Sequence, residues 1–273
     1  MIHAQQTEPD TESSDAFIRD LHQIVHENLR ANTRLVKELQ TGTLDLRYYL
    51  RADLVTQLVR RDNVAYHAAI VSNMAVLDVD NGLRPKYSAE LMKEVLQLRA
   101  FQAGNASVEA TGQFVKGAHS DKNWEFILDV ARHVGLDIPK LEANRYNIEP
   151  WPEVVELSKV RWWAMKHSGN FVLGFARNFA DEEEHLLRDR AAYPAFKEKY
   201  GFKDSQLGFF IEHLKLEEGH SSQAERALRL FATTPEMREQ VRAFIRKNLG
   251  LHYQIWDLAL EQPVKTRDGE LIV

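Results

Sequence analysis

Hydrophobic residues recur at every third or fourth position through almost the whole chain, which is the period of an α-helix. Alternating stretches rich in Val, Ile and Thr, which are typical of strands, never exceed a few residues. Glycine and proline, at 13 and 8 residues, are scarce. The pattern therefore predicts an all-α fold, a single-domain helical bundle.

The apolar stripes and the turn signals between them also predict where the helices lie. Trp151-Pro152 and Thr234-Pro235 mark two helix starts, because proline is tolerated in a first turn and threonine is a good N-cap. We expect one domain over residues 15–262, with a disordered tail at 1–14 and a C-terminal tail at 263–273. The predicted helical segments are 15–40, 46–61, 63–78, 89–103, 107–117, 121–134, 152–166, 168–188, 205–231 and 235–260.

Composition narrows the function classes. The 273 residues carry 35 Lys and Arg against 40 Asp and Glu, a net charge of -5 without a basic stripe, which argues against nucleic acid as a partner. No apolar run approaches the roughly 20 residues that a bilayer-spanning helix needs, and the polar start has no hydrophobic segment, so we expect no membrane partner and a cytoplasmic location. The absence of cysteine excludes disulfides, thiolate metal sites and a cysteine nucleophile.

One predicted helix carries three metal-type ligands on its apolar stripe. His213, Glu217 and His220 are spaced i, i+4 and i+7, which places them within a sector of about 60°. A carboxylate that faces a core is costly unless it is paired, and a metal ion removes that cost. Imidazole and carboxylate together suit Fe, Mn or Zn. The pattern therefore predicts a metal site, the alternative being a solvent-facing trio in which Glu217 bridges two surface histidines.

An acidic run, 181–184, followed by His185, interrupts an otherwise apolar helix. Glu182 extends that helix's stripe, since it lies seven residues after Phe175 and three after Phe179. Glu183 lies one position further round and is the runner-up. We expect one of these two to be a bridging carboxylate and most of the run to be a solvated face.

Four segments resemble the superfamily with the heme-oxygenase-like fold, which includes pyrroloquinoline-quinone synthase, the TenA thiaminases and the heme-oxygenase-like diiron oxidases. The resemblance spans residues 30 to 260. The motif His-x3-Glu-x2-His, within FFIEHLKLEEGHSSQAERAL, is similar to the His-x3-Asp-x2-His signature of the diiron branch. The other segments are VKELQTGTLDLRYYL, WEFILDVARHVGL and LHYQIWDLAL.

The resemblance to the diiron branch implies two Fe(II) ions per chain, held by three carboxylates and three histidines. One carboxylate comes from a helix some thirty residues before the signature, which falls on Glu182 or Glu183. A further Glu and His come from an earlier helix, where Glu109 and His119 are the candidates and a pair drawn from His67 and Glu94 is the alternative. The implied ligands are Glu109, His119, Glu182, His213, Glu217 and His220.

Two departures from the family pattern bear on the activity. Glu217 stands where the diiron branch usually has Asp, so this ligand reaches one methylene further. The missing cysteine argues against thiaminase activity of the TenA kind. Pyrroloquinoline-quinone synthase works without metal, and the triad argues against that mode here.

The resemblance implies an O2-dependent non-heme diiron oxidase or oxygenase in biosynthetic metabolism, with O2 as co-substrate. The substrate is a small amino-acid-like or fatty-acid molecule, and the reaction is N-oxygenation, desaturation or oxidative C–C or C–N cleavage. Whether iron or manganese occupies the site stays open, and an external electron donor and a homodimer are further expectations.

Substrate contacts are expected from the second and third helical segments. One of Arg47, Arg51, Arg60 and Arg61 is expected to grip a substrate carboxylate bidentately. Tyr49 and His67 lie in the region where the superfamily lines its pocket.

Two other classes of protein stay open. The first is a metal-free oxidase on the same fold, in which His213 and His220 act as general acid and base. The second is a non-catalytic helical protein that binds a ligand.

Overall fold

The computed structural model describes residues 12–61, 63–74, 89–112 and 119–273. The prediction of an all-α fold is confirmed within these ranges, and none of the described helices combines the length and apolarity needed to cross a bilayer. A 3-10 turn, Arg30–Asn32, joins α1 to α2, and a π-helical turn, Trp163–His167, follows α8. The helices are α1 (Ser14–Glu27), α2 (Arg34–Thr41), α3 (Leu46–Arg61), α4 (Asn63–Asn73), α5 (Ala89–Gly112), α6 (His119–His133), α7 (Ile138–Ala143), α8 (Pro152–Trp162), α9 (Phe171–Glu198), α10 (Gly208–Phe231) and α11 (Pro235–Leu258). The side chains outside the description include those of Arg60, Arg61, Glu94, Glu109, His119, Glu217 and His220.

Short polar side chains cap several helix starts. The Thr33 hydroxyl accepts a hydrogen bond from the Val36 amide at the start of α2, and Thr234 caps α11 through the Met237 amide. Pro235 follows Thr234 in the first turn, as the sequence predicts.

Three predicted boundaries differ from the structure. The segment 15–40 is two helices, because α1 ends at Glu27 and the chain turns before the Thr33 cap. The segments 89–103 and 107–117 lie on one helix that continues to Gly112, since Gly104 is tolerated inside a helix; 113–118 lie outside the described residues. Finally, α9 extends ten residues past the predicted end at 188.

Helix α9 lies at the centre of the described fold and packs against α1, α2, α4, α10 and α11. Gly174 lets α4 approach it closely, because a Cβ at this position would lie 2.5 Å from Ile70 Cγ1. Contacts with this many neighbours bury most of α9 between Phe171 and Phe196, and its central polar residues therefore lie inside the bundle.

Two apolar clusters form the core. One packs α1 and α4 against the first part of α9 and the middle of α11, around Phe17, Phe175 and Ile245. The other packs α2, α3 and α6 against the last part of α9, around Phe126 and Phe196. Along α9, the polar stretch 181–189 lies between the two clusters.

The last eleven residues, 263–273, fold back onto the helices. Val264 and Val273 are buried in the second apolar cluster, and the Val264 amide donates to the Val273 carbonyl over 2.7 Å. Thr266 forms an isolated antiparallel bridge with Ile148. This segment therefore contributes to the core.

Candidate functional site

Helix α9 has two polar faces, since residues spaced i, i+4, i+7 and i+11 lie on one side of an α-helix. We call the first the α10-facing side: Asn178, Glu182, His185 and Asp189. The second belongs to a group that we call the buried charge cluster. Its α9 members are Arg177, Asp181, Glu184 and Arg188 on this second face, together with Asp189, which also belongs to the α10-facing side.

His213, the first member of the predicted triad, contacts a buried carboxylate on the α10-facing side. Its Nδ1 donates to Oδ2 of Asp189 over 2.9 Å. The other oxygen of Asp189 accepts from Nε and Nη2 of Arg188, at 2.8 and 2.6 Å. Burial raises the pKa of Asp189, but Arg188 and His213 outweigh it and hold that pKa below its usual value. Asp189 is therefore an ionised acceptor that holds the proton on Nδ1 of His213 and orients its imidazole.

Two rings hold the imidazole of His213 in place. The Phe209 ring centroid lies 4.1 Å away, and the His185 ring stacks on it at 5.7 Å with an interplanar angle of 16°. Sequence reasoning gave no role to His185 or Asp189. The signal for His185 was its spacing, three residues after Glu182 and therefore on the same side of the helix.

The structure separates the two candidate glutamates of α9. Glu183 accepts a hydrogen bond from Nδ1 of His22 on α1, over 3.2 Å, and Nε2 of His22 lies 3.4 Å from Glu225. The hydrogen bond to Glu183 is the main cause of the raised pKa of His22. Glu183 thus contacts α1, whereas the half-buried Glu182 shares the side of α9 that carries Asp189.

The register of α9 and α10 locates the rest of the triad. The ring of Phe171, at the start of α9, packs 5.0 Å from that of Phe231, at the end of α10. Eighteen residues later on α9, Asp189 contacts His213, which lies eighteen residues before Phe231 on α10, so the two helices are antiparallel. In this register, backbone position 220 lies opposite 182, and 217 lies opposite 185. The side chains of Glu217 and His220 lie outside the described residues.

Helices α4 and α5 reach the same side of α9 one turn before Glu182. The oxygen Oε1 of Gln102 accepts from Nδ1 of the buried His67 over 2.8 Å and from Nδ2 of Asn178 over 3.1 Å. Glu109 follows Gln102 by about two turns on α5, and His119 is the first residue of α6. The predictions for the side chains of Glu94, Glu109 and His119 fall outside the described residues.

The proposed substrate contacts on α3 lie elsewhere. Arg47 is exposed and donates to Asp45 and to the Val134 carbonyl, and Arg51 lies over the Tyr48 ring at 5.0 Å. None of these partners belongs to α9 or α10. Tyr49 is buried, and its ring packs 5.3 Å from that of Trp256, which borders the buried charge cluster.

The prediction that the acidic run of α9 is mostly a solvated face is wrong. Asp181 is 2% exposed and Glu184 is fully buried. Both belong to the buried charge cluster, which α9 forms with α8, α11 and the 3-10 turn. Every member is 4% exposed or less: Arg30, Arg161, Arg177, Asp181, Glu184, Arg188, Asp189, Asn248, His252 and Trp256.

Arginines explain why these carboxylates are buried. Oδ2 of Asp181 lies 2.6 Å from Arg161 Nη2 and 2.8 Å from Arg177 Nε, and Glu184 pairs with Arg30. Burial raises the pKa of Asp181, but the two arginines outweigh it and lower that pKa below its usual value. Burial lowers the pKa of Arg161 to about 10, so the pair is ionised at neutral pH.

The described part of the α9–α10 interface fits a metal centre in its chemistry. Among the side chains that the structure describes, no three His, Asp or Glu are grouped so as to hold a metal ion. Four of the six predicted ligands fall outside that set. His213 nevertheless shares one feature with most metal-binding histidines, a ring nitrogen that donates to an outer acceptor, here the carboxylate of Asp189.

Comparison with known proteins identifies the fold. No protein-family model matches the chain, and no curated protein matches it in sequence. A Shewanella denitrificans protein, described as a domain of unknown function with a heme oxygenase-like fold, matches with a TM-score of 0.65 and 16% identity over 92% of this chain and 93% of that one. A TenA homolog from Pseudomonas syringae pv. tomato matches with a TM-score of 0.64 and 15% identity, over 95% and 99%. The chain has the heme-oxygenase-like fold, and the low identities establish the fold alone.

Proposed function

We propose that the chain is an O2-dependent non-heme diiron oxidase or oxygenase acting on a small amino-acid-like or fatty-acid substrate. The observation that supports this most is the hydrogen bond from His213 to Asp189, a buried, ionised carboxylate. Asp189 fixes the tautomer and the orientation of the imidazole. A histidine held in this way is prepared to bind a metal through Nε2.

The six residues that would hold two iron ions come from four helices: Glu109, His119, Glu182, His213, Glu217 and His220. When bound, Fe(II) supplies the capacity to activate O2 for oxidation of the substrate, with further electrons from an external donor. Four ligands lie on α9 and α10, helices of 28 and 24 residues that contact each other around position 189. Rigid elements of this kind keep ligand geometry constant.

The chain's own residues perform three further tasks. Asp189 holds the proton on Nδ1 of His213, and Arg188 keeps Asp189 ionised. The Phe209 ring packs on one side of His213 and excludes water there. The buried His67 of α4 is linked through Gln102 to Asn178 on this side of α9.

Anaerobic titration of metal-free protein with Fe(II), followed by exposure to O2, tests the proposal. We expect two Fe(II) per chain and O2 consumption in the wild type, both reduced in His213→Ala. His133→Ala is the matched control, because His133 is exposed on α6, where its ring packs 5.1 Å from that of Phe202. An absence of stoichiometric Fe(II) or Mn(II) binding in the wild type would overturn the proposal.

A metal-free oxidase is the second candidate, and two observations favour it. The fold is shared with a TenA homolog, and the interior holds an Arg161–His252 pair at 3.1 Å that is suited to proton transfer or anion binding. Activity that persists after exhaustive chelation would support this candidate over the diiron oxidase.

A further inference from the structure

Two guanidinium groups of the buried charge cluster lie near the indole ring of Trp256 on α11. The Cζ atom of Arg30 is 5.4 Å and that of Arg188 is 5.6 Å from the ring centroid. Glu184 pairs with Arg30, and His252 lies one helical turn before Trp256 on α11. All five side chains are buried.

The cluster has more positive than negative charge. Among the described residues it contains four arginines against three carboxylates. His252 does not change this balance, because burial and the surrounding arginines lower its pKa and keep it neutral. An uncompensated charge in a protein interior is destabilising, so a bound anion would stabilise the cluster.

The cluster also has more donors than acceptors. Arg177 Nε makes no hydrogen bond of good geometry, but it lies 2.8 Å from Oδ2 of Asp181 in an ion pair. Three other buried N–H groups of the cluster have no acceptor among the described residues: Arg30 Nε, Arg188 Nη1 and Trp256 Nε1. His252 adds a fourth. Its Nε2 lies 3.1 Å from Arg161 Nη2, which can only donate, so the proton of the neutral ring is on Nδ1, and Nδ1 also lacks a partner there.

Only one carboxylate oxygen of the cluster lacks a hydrogen-bond donor among the described residues. This oxygen is Oε1 of Glu184. The cluster therefore has four unmatched donors and a surplus positive charge, but only one unmatched acceptor. Buried polar groups are nearly always paired, so this imbalance points to a ligand that is anionic and accepts several hydrogen bonds.

We propose that the buried charge cluster binds the carboxylate of a small organic acid between Arg30, Arg188 and Trp256. A carboxylate has one negative charge and about four acceptor positions, which matches the surplus of charge and donors. Glu184 Oε1 would receive an ammonium group if the acid is an amino acid. Arg188 also holds Asp189, so the acid is anchored one residue from the carboxylate that orients His213.

This inference deepens the proposed function by naming where a carboxylate-bearing substrate is held, and it is testable without metal. Metal-free protein in EDTA is incubated overnight with formate, acetate or glycine, because every group of the site is buried and entry needs a transient opening. Thermal unfolding at constant ionic strength, with chloride as the reference anion, then gives an apparent Kd for each acid. Equilibrium dialysis with radiolabelled acetate gives the stoichiometry.

Trp256→Phe is the test variant, since it removes one unmatched N–H and keeps an aromatic ring. Trp124→Phe is the matched control: Trp124 is also buried under a guanidinium, that of Arg145 at 4.4 Å, but lies outside the cluster. We expect saturable stabilisation by at least one acid, one acetate or glycine per chain, and a Kd raised about tenfold in Trp256→Phe but not in Trp124→Phe.

The comparison of acids identifies the source of the carboxylate. Tighter binding of glycine than of acetate indicates an amino acid whose ammonium contacts Glu184, and the reverse indicates a simple acid. The inference is overturned if chloride acts like the carboxylates, if Trp256→Phe and Trp124→Phe respond alike, or if dialysis of the wild type finds no bound acid. If the protein binds Fe(II) but no acid, the proposed diiron site is still supported and only the carboxylate site is contradicted.

Discussion

His213 and Asp189 form a hydrogen bond of 2.9 Å that joins α10 to the polar centre of α9. Asp189 is fully buried, and the positive charge of its neighbour Arg188 balances its negative charge. This ion pair belongs to the buried charge cluster, and its carboxylate also orients the imidazole of the candidate metal site. The two polar faces of α9 are therefore connected through adjacent residues.

Asp189→Asn is expected to weaken metal binding ten- to hundredfold, because an amide orients His213 less firmly than a carboxylate and does not raise the basicity of its imidazole. Binding of Co(II), followed by its visible spectrum, measures the change. Asp204→Asn is the control, since Asp204 is an exposed carboxylate that pairs with Lys197. Equal Co(II) affinities in the two variants would contradict a role of Asp189 in metal binding.

Glu184→Gln is expected to lower the free energy of unfolding by about 3–5 kcal/mol, since it leaves the buried Arg30 without its counter-charge. Urea denaturation measures the change. Asp129→Asn breaks the exposed pair with Arg132 and is expected to cost about 1 kcal/mol or less. A double variant, Arg30→Met with Glu184→Met, should recover much of the loss; failure to do so would contradict the view that the unpaired charge is the cause.

The stability of the protein is expected to fall as the pH drops below 6.5. The pKa of His252 is lowered from 6.5 by burial and by the arginines around it, so the unfolded chain binds this proton more tightly. Its contribution is therefore complete above pH 6.5 and is lost below it, at up to about 1.4 kcal/mol per pH unit. Urea denaturation between pH 5 and 7.5 measures the slope, which His252→Gln should flatten.

His22 is expected to change the stability of the protein with pH in the opposite direction to His252. Its pKa is raised from 6.5, chiefly by the hydrogen bond to Glu183, so its contribution is complete below pH 6.5 and is lost as the pH rises through the raised pKa. In His22→Gln the free energy of unfolding should therefore decrease less between pH 6.5 and 8 than in the wild type. An unchanged profile would show that the contact with Glu183 adds nothing to stability.

Gly174→Ala is expected to destabilise the protein by about 1–3 kcal/mol, because the new Cβ would lie 2.5 Å from Ile70 in the core. Gly250→Ala is the control: Gly250 lies inside α11 with nothing within 4 Å of its Cβ position, and alanine there should stabilise the helix by about 0.5–1 kcal/mol. Thermal or urea unfolding of both variants checks the difference. Similar values would contradict close packing of α4 on α9.

Periodicity predicted the helices because most of them bury one apolar stripe. It also identified the stripe through His213, whose neighbours Phe209 and Ala224 are buried as that stripe requires. The break between α1 and α2 was missed, because the apolar spacing continues across the short 3-10 turn and the Thr33 cap that separate the two helices.

The buried charge cluster was missed for a different physical reason. An acidic run predicts a solvated face when only the helix itself is considered, and the partners of Asp181 and Glu184 come from α8 and the 3-10 turn as well as from α9. The available signal was the spacing of Arg177, Asp181, Glu184 and Arg188 along one side of an otherwise apolar helix. Pairing over 154 residues, as between Arg30 and Glu184, cannot be deduced from one sequence.

The central claim is a metal centre between α9 and α10, and anomalous diffraction from crystals loaded anaerobically with Fe(II) tests it most directly. Data collected on both sides of the iron absorption edge locate the ions without reference to any assumed ligand. The account predicts two iron peaks, one of them bonded to Nε2 of His213. Iron peaks elsewhere, or none in crystals soaked with excess Fe(II), would contradict it.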